Sequence, residues 1–227
     1  KIMSKIKLFI STILLVGLFS VPSMSDIRVG VGFADTSVDA NGTETLHNSS
    51  GGAASKGTNG DNASTSVSAD TTVGHLFVEK TFSNGVALGI DYIPGDADIS
   101  AEQTRTDDDA DTTGDNKASA HVSDHVTFYA MAPLGDSPFF IRGGITSLTV
   151  NTTENLATGS TYGNKDINGV TAGIGAHLER DSGLFVRVEA NVSEYEDMTF
   201  TSTATLANTV EADINTAEMR LSVGKSF

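Results

Sequence analysis

Three groups of residues in this sequence have types and spacings that could support chemistry. Asp107, Asp109 and Asp111 stand at alternate positions, as at the start of a calcium loop. Such a loop turns on Gly at its sixth place and closes with a bidentate Glu at its twelfth, where this chain has Thr112 and Ala118. A solvated acidic loop fits that stretch better. His121, Ser123 and His125 also alternate, and in a regular strand they share one face, which invites a hydrolase reading. At about 3.3 Å per residue the two histidines sit roughly 13 Å apart, too far to chelate one metal. Spacing identifies no third group to orient a base, so no catalytic residue, metal-ligand set or cofactor is predicted.

The third group is ionic. Arg28, Glu79, Asp91, Arg142, Glu179, Arg187, Glu189, Glu218 and Arg220 all fall on the less apolar parity of alternating segments. Four arginines against five acids is close to balance in a chain whose formal charge is −15. Charges in a confined interior are tolerated only when paired, since removing one partner costs about 3–5 kcal/mol. A structural ion cluster inside a closed sheet is predicted. Gly30, Gly32, Gly89, Gly144, Gly173, Gly175 and Gly224 share its parity and make room for long side chains. An ordinary solvated sheet face is the plainer alternative.

The elements that must position these residues are short alternating segments. They run Ile27–Ala34, Val73–Phe82, Val86–Ile93, His121–Ala132, Phe139–Val150, Ile167–Arg180, Leu184–Ser193 and Val210–Phe227. Eight antiparallel strands are predicted. The connections alternate between long and short, at roughly 37, 3, 27, 6, 16, 3 and 16 residues. That asymmetry belongs to an up-and-down barrel crossing a membrane, with tight turns at one rim and long loops at the other. The stretch Thr36–Asp70 lacks the apolar residues that offset ordering entropy and is predicted to be a mobile loop; Ile99–Ser119 is predicted to be an acidic one.

The opposite parity is almost uncharged. It carries Leu76, Val78, Leu88, Ile90, Val122, Val126, Phe128, Ile141, Ile145, Ile174, Leu178, Val186, Val188, Leu221 and Val223, as a lipid-facing band must. Lys80 and Lys225 are exceptions near the tight-turn rim, where an ammonium can snorkel into the interface.

Composition sets the outer limits. With 14 Lys and Arg against 29 Asp and Glu, the chain lacks the basic footprint of a nucleic-acid binder. Cysteine is absent, so no disulfide framework and no thiolate metal site can form. Lys1, Lys5 and Lys7 precede the apolar run Leu8–Phe19, then Ser20, Pro22, Ser23 and Ser25. This is the pattern of a secretory signal peptide over residues 1–25, cut before Asp26, with the barrel over residues 26–227. About twelve apolar residues is short for a bilayer span.

The stretches ALGIDYIP, PLGDSPFFIRGG, GVTAGIGAHLERDSGLFVRVEA and LSVGKSF carry a resemblance. The chain resembles the small eight-stranded outer-membrane barrels of Gram-negative bacteria, the group that includes the outer-membrane protein A β-barrel domain. The resemblance implies an all-β, eight-stranded antiparallel up-and-down transmembrane barrel in the outer membrane. It implies that Phe227, ending a run of alternating apolar residues, is the signal read by the β-barrel assembly machinery. It further implies contact with outer-membrane lipids and lipopolysaccharide, a monomeric state, and no dealings with nucleic acid. Lys225 departs from the pattern, where an aromatic or apolar residue is usual. The aromatic girdle is thin as well, with no Trp and 4 Tyr.

The function expected is non-enzymatic: a structural or surface-interaction role in envelope integrity, adhesion or phage contact, with an unidentified surface partner. A narrow porin-like channel is the alternative. A lipid-modifying outer-membrane enzyme is a third reading.

Overall fold

The computed structural model describes residues 27–45, 62–99, 103–107, 114–155, 161–203 and 208–227. The leader predicted at 1–25 lies outside them, as do Asp109 and Asp111. All regular elements among the described residues are strands: β1 (Ile27–Thr45), β2 (Asn62–Thr81), β3 (Ala87–Asp98), β4 (Gln103–Asp107), β5 (Gly114–Pro133), β6 (Phe139–Asn155), β7 (Lys165–Glu179), β8 (Leu184–Tyr195), β9 (Met198–Thr201) and β10 (Thr209–Ser226). Eight of them form a ring in the order β1, β2, β3, β5, β6, β7, β8, β10, each antiparallel to its neighbours. The ring closes where β10 pairs with β1 from Arg28↔Ser226 to Thr45↔Thr209. β4 is an outlier on β5, and β9 folds back on β10.

Register fixes the shape. A walk along directly paired residues from Val29 passes Val78, Ile90, Phe128, Ile145, Val170, Glu194 and Asn215, and returns to β1 at Asp39. That offset of about ten residues over eight strands tilts each strand about 40° from the barrel axis. The tight rim is made by local hydrogen bonds. Gly85 and Gly183, both with φ near +80°, close turns in which their N–H groups donate to the carbonyls of Phe82 and Arg180.

The outer wall changes polarity along its length. On β8 the outward residues from Leu184 to Val192 are apolar, and eight residue steps at that tilt span roughly 20 Å, close to a hydrocarbon core. On β10 the outward side chains are Val223, Leu221 and Met219, with Ser222, Arg220 and Glu218 inside. Further along, Asn215 and Glu211 are exposed outside, while Ile214 is buried inside. β6 turns over in the same way, from Ile141 and Ile145 outside to Leu148 and Val150 inside. Above this level Val38, Ile99, Leu148, Val150, Ile167, Tyr195, Met198, Phe200 and Ile214 form a buried apolar cluster within the ring.

Two expectations are corrected by this upper section. Residues 36–45 and 62–70 are not loop: they continue β1 and β2, as residues 103–107 and 114–119 form β4 and part of β5. Ser, Thr, Asn and Asp on their outer face hydrogen-bond one another, for example Ser68 Oγ to Asp39 Oδ1 at 2.6 Å and Ser66 Oγ to Asn41 Oδ1 at 2.8 Å. Val122 faces inward, packed against the apolar cluster, rather than outward to lipid. The cause is a bulge: the β3–β5 ladder slips between Ile93 and Asp96, and the β5–β6 ladder between Ser123 and Val126. Asp124 (φ 59°) and Gly95 (φ 90°) supply the left-handed conformations there, and an extra residue reverses which side its neighbours face.

Candidate functional site

The same bulge separates His121, Ser123 and His125, which were expected to share a face. His125 points into the barrel, with Nε2 3.0 Å from Tyr195 Oη and 2.8 Å from Thr146 Oγ1. Ser123 Oγ instead accepts from Asn151 Nδ2 at 2.9 Å. A hydrolase built on these three residues has no geometric support. Asp107 is described as the end of β4, paired with Gly114 rather than opening a cation loop.

The barrel interior holds the ionic residues. Each comes from a strand whose neighbouring positions face outward, so parity alone delivers it inward. Arg187 on β8 reaches past β10 and β1 to Glu79 on β2, with both terminal nitrogens on the carboxylate, Nη1 at 3.0 Å from Oε2. Tyr129 Oη on β5 donates to the same Oε2 at 2.8 Å. The guanidinium carbon of Arg187 also lies 4.7 Å from the ring centre of Phe77, 5.5 Å from Phe185 and 5.6 Å from Phe140. A bidentate pair wrapped in aromatic faces is held in one orientation. Space for it comes from glycine: a Cβ on Gly30 would strike the Phe77 ring, and one on Gly89 would lie 2.5 Å from Tyr129 Oη.

A second network lies beside it. Arg220 donates from Nε to Glu218 Oε2 at 2.8 Å and places Nη1 3.1 Å from Asp91 Oδ1. Asp91 Oδ2 lies 2.8 Å from His75 Nδ1, and His75 Nε2 lies 3.1 Å from Ser222 Oγ. Arg142 completes the set, 3.2 Å from Glu189 Oε1, with its guanidinium 3.9 Å above the Tyr129 ring centre. Tyr129 therefore touches both networks, by hydroxyl and by ring face. At the tight-turn rim Arg28 meets Glu179 at 3.0 Å and Glu79 at 3.5 Å, and His177 lies 3.1 Å from Glu179. This rim pair is partly open to solvent, whereas Glu79, Asp91, Arg187, Glu189 and Arg220 are all at most 3% exposed.

Ser222, His75 and Asp91 repeat the order of contacts in a serine-hydrolase triad, a relay that sequence reading did not find because the three lie on different strands. It lacks the rest of an acyl-transfer site. Ser222 is 1% exposed, and it sits between Gly32 and Arg187 in the ladder, where neighbouring N–H groups are committed to sheet hydrogen bonds. A Cβ on Gly32 would come within 2.8 Å of Ser222 Oγ, so even a methyl group does not fit beside it. The relay fixes the His75 ring; it does not admit a substrate. The apolar cluster above was likewise missed, although one signal for it exists: Leu148, Val150, Ile167 and Ile214 lie on the wrong parity for lipid contact.

No family model matches the chain, and no curated protein matches it. Among solved structures, the outer membrane protein OprG from Pseudomonas aeruginosa superposes with a TM-score of 0.51 at 16% identity, over 89% of this chain and 97% of that one. The fold is that of a small outer-membrane β-barrel. Neisserial surface protein A is also similar, at TM-score 0.42 and 14% identity, over 88% of this chain and 97% of that one. The outer membrane protein AlkL gives 0.44 and 14%, over 92% and 96%. The OprG superposition bears on the fold alone; the likeness to the outer-membrane protein A domain rests on the sequence stretches alone.

Proposed function

We propose that this chain is a non-enzymatic barrel of the bacterial outer membrane whose lumen is a packed core rather than a conduit, and whose role is structural or interactive at the cell surface. The observation that carries the reading is the filling of the ring. The cross-barrel ion pairs occupy the level enclosed by the apolar outer band, and the cluster around Ile214, Leu148 and Met198 occupies the level above. An eight-stranded ring leaves an interior just wide enough for side chains to fill, and here large ones fill it. The narrow-channel reading needs a continuous aqueous path through both layers. In this account outer-membrane lipid and lipopolysaccharide surround the band, Phe227 is the signal for the assembly machinery, and the polar walls of β1, β2 and β10 face outward from the cell to meet a partner.

Planar-bilayer recording of the reconstituted protein tests this. No steady unitary conductance is expected from the wild type; a large, stable, ion-selective conductance overturns the packed-core reading. Migration on unboiled detergent gels tests the barrel itself, with a faster band expected before boiling and a single slower one after.

A further inference from the structure

The outer face at the tight-turn rim carries a charge pattern that differs from the rest of this acidic chain. Arg180 follows β7, and its N–H donates to the Leu184 carbonyl at 2.9 Å. Leu184 pairs with Lys225, and Lys225 with Val29. Arg180, Leu184, Lys225 and Val29 thus lie on one row across four adjacent strands. With neighbouring strands about 4.8 Å apart, the backbones at Arg180 and Lys225 stand roughly 10 Å from each other. Both side chains are exposed and long enough to converge on one group placed between them.

The row borders an apolar groove. Leu178, Val186, Val223 and Val31 continue it into the outer band, and each is between 45% and 63% exposed. The Phe227 ring sits at the rim with its centre 5.6 Å from Lys225 Nζ. Glu179, the nearest acid on a strand, is engaged by Arg28 and His177. Asp181 follows in the turn and does not line the groove. Two cations over a hydrocarbon-lined groove fit an amphiphile with a negative head and acyl tails.

We infer that Arg180 and Lys225 form a headgroup site for an anionic phospholipid, with its phosphate between the two cations and its chains along Leu178, Val186 and Val223. The inference rests on the outer-membrane reading above, which places the tight turns on the periplasmic side. Each basic residue near an anionic lipid surface contributes about fivefold in affinity.

The test uses the whole barrel, purified in detergent, titrated with phosphatidylglycerol, phosphatidylcholine or lipid A and read by native mass spectrometry. A preference for phosphatidylglycerol is expected, falling about fivefold with Arg180→Gln or Lys225→Gln and further with both. Lys165→Gln, the same charge change at the other end of β7, keeps the preference. Equal binding of both lipids by a protein that still shows the faster unboiled band overturns the site and leaves the membrane reading standing. So does a double variant that retains the preference, or a wild type that favours lipid A over phosphatidylglycerol. A chain that shows no such band and does not enter vesicles of either composition overturns both.

Discussion

Arg187 and Glu79 meet across the barrel with two strands, β10 and β1, standing between theirs, and neither residue is more than 1% exposed. The pair therefore braces opposite parts of the wall. Arg187→Ala leaves a buried carboxylate whose remaining close partners are Tyr129 and the more distant Arg28. The expected loss is about 3–5 kcal/mol, read as a lower urea midpoint for the protein in lipid vesicles. Glu79→Gln combined with Arg187→Met removes both charges and recovers much of that loss. A double variant as unstable as the single one would show that the bidentate geometry, rather than the orphaned charge, is what matters.

The same pair bears on permeability. Wild-type protein in planar bilayers is expected to be silent, and Arg187→Ala to introduce a flickering leak as the interior rearranges around the lost side chain. An unchanged, silent baseline in that variant would remove the ion pair from the seal and leave the apolar cluster above to account for it.

Position along a strand should decide the cost of a charge. Ile174 is at the middle of the outward apolar row of β7, and it is 63% exposed. Ile174→Arg costs about 2–4 kcal/mol if that row faces hydrocarbon. Ser37→Arg, on the outer face of β1 above the inversion, costs about 0–1 kcal/mol. Folding yield into vesicles, followed by gel mobility, compares the two. Equal tolerance would mean that the apolar band does not face lipid.

The upper cluster gives a separable prediction. Ile214 is 2% exposed and packs in the same cluster as Met198 and Phe200 of β9. Ile214→Asp buries a charge without a partner there, and the β9–β10 hairpin is expected to open while the ionic level below holds. Limited proteolysis should then cut near residues 196–208 in the variant and not in the wild type, with the faster unboiled band retained. Loss of that band would show that the two levels form one cooperative unit.

The ring of eight strands was legible because alternation of apolar and polar residues survives wherever the outward face is apolar, as in Leu184 to Val192. The upper halves of β1 and β2 were not, because VDANGTET and STSVSAD have polar outer faces and few apolar inner residues, and composition alone reads them as loop. Apolar residues there are sparse and inverted: Val38 points in where Val31 points out. The set of interior charges followed from parity. Their partners did not, since pairing depends on strand order and register: Arg187 and Glu79 are 108 positions apart. The His121–Ser123–His125 reading failed at a single residue, Asp124, whose positive φ turns one strand face into two. Nothing in its residue type requires that conformation, although Asp adopts it more readily than most.

The inversion along β1, β2 and β10 bears on how such a molecule would be recognised. Beyond the apolar outer band these strands run as a stiff palisade, hydroxyls and carboxylates outside, grease within. A phage tail or an antibody landing there would read a relief assembled from three distant stretches of chain, which boiling would erase. Serum raised against short linear peptides should then miss this wall on intact cells, while serum raised against the refolded barrel should find it.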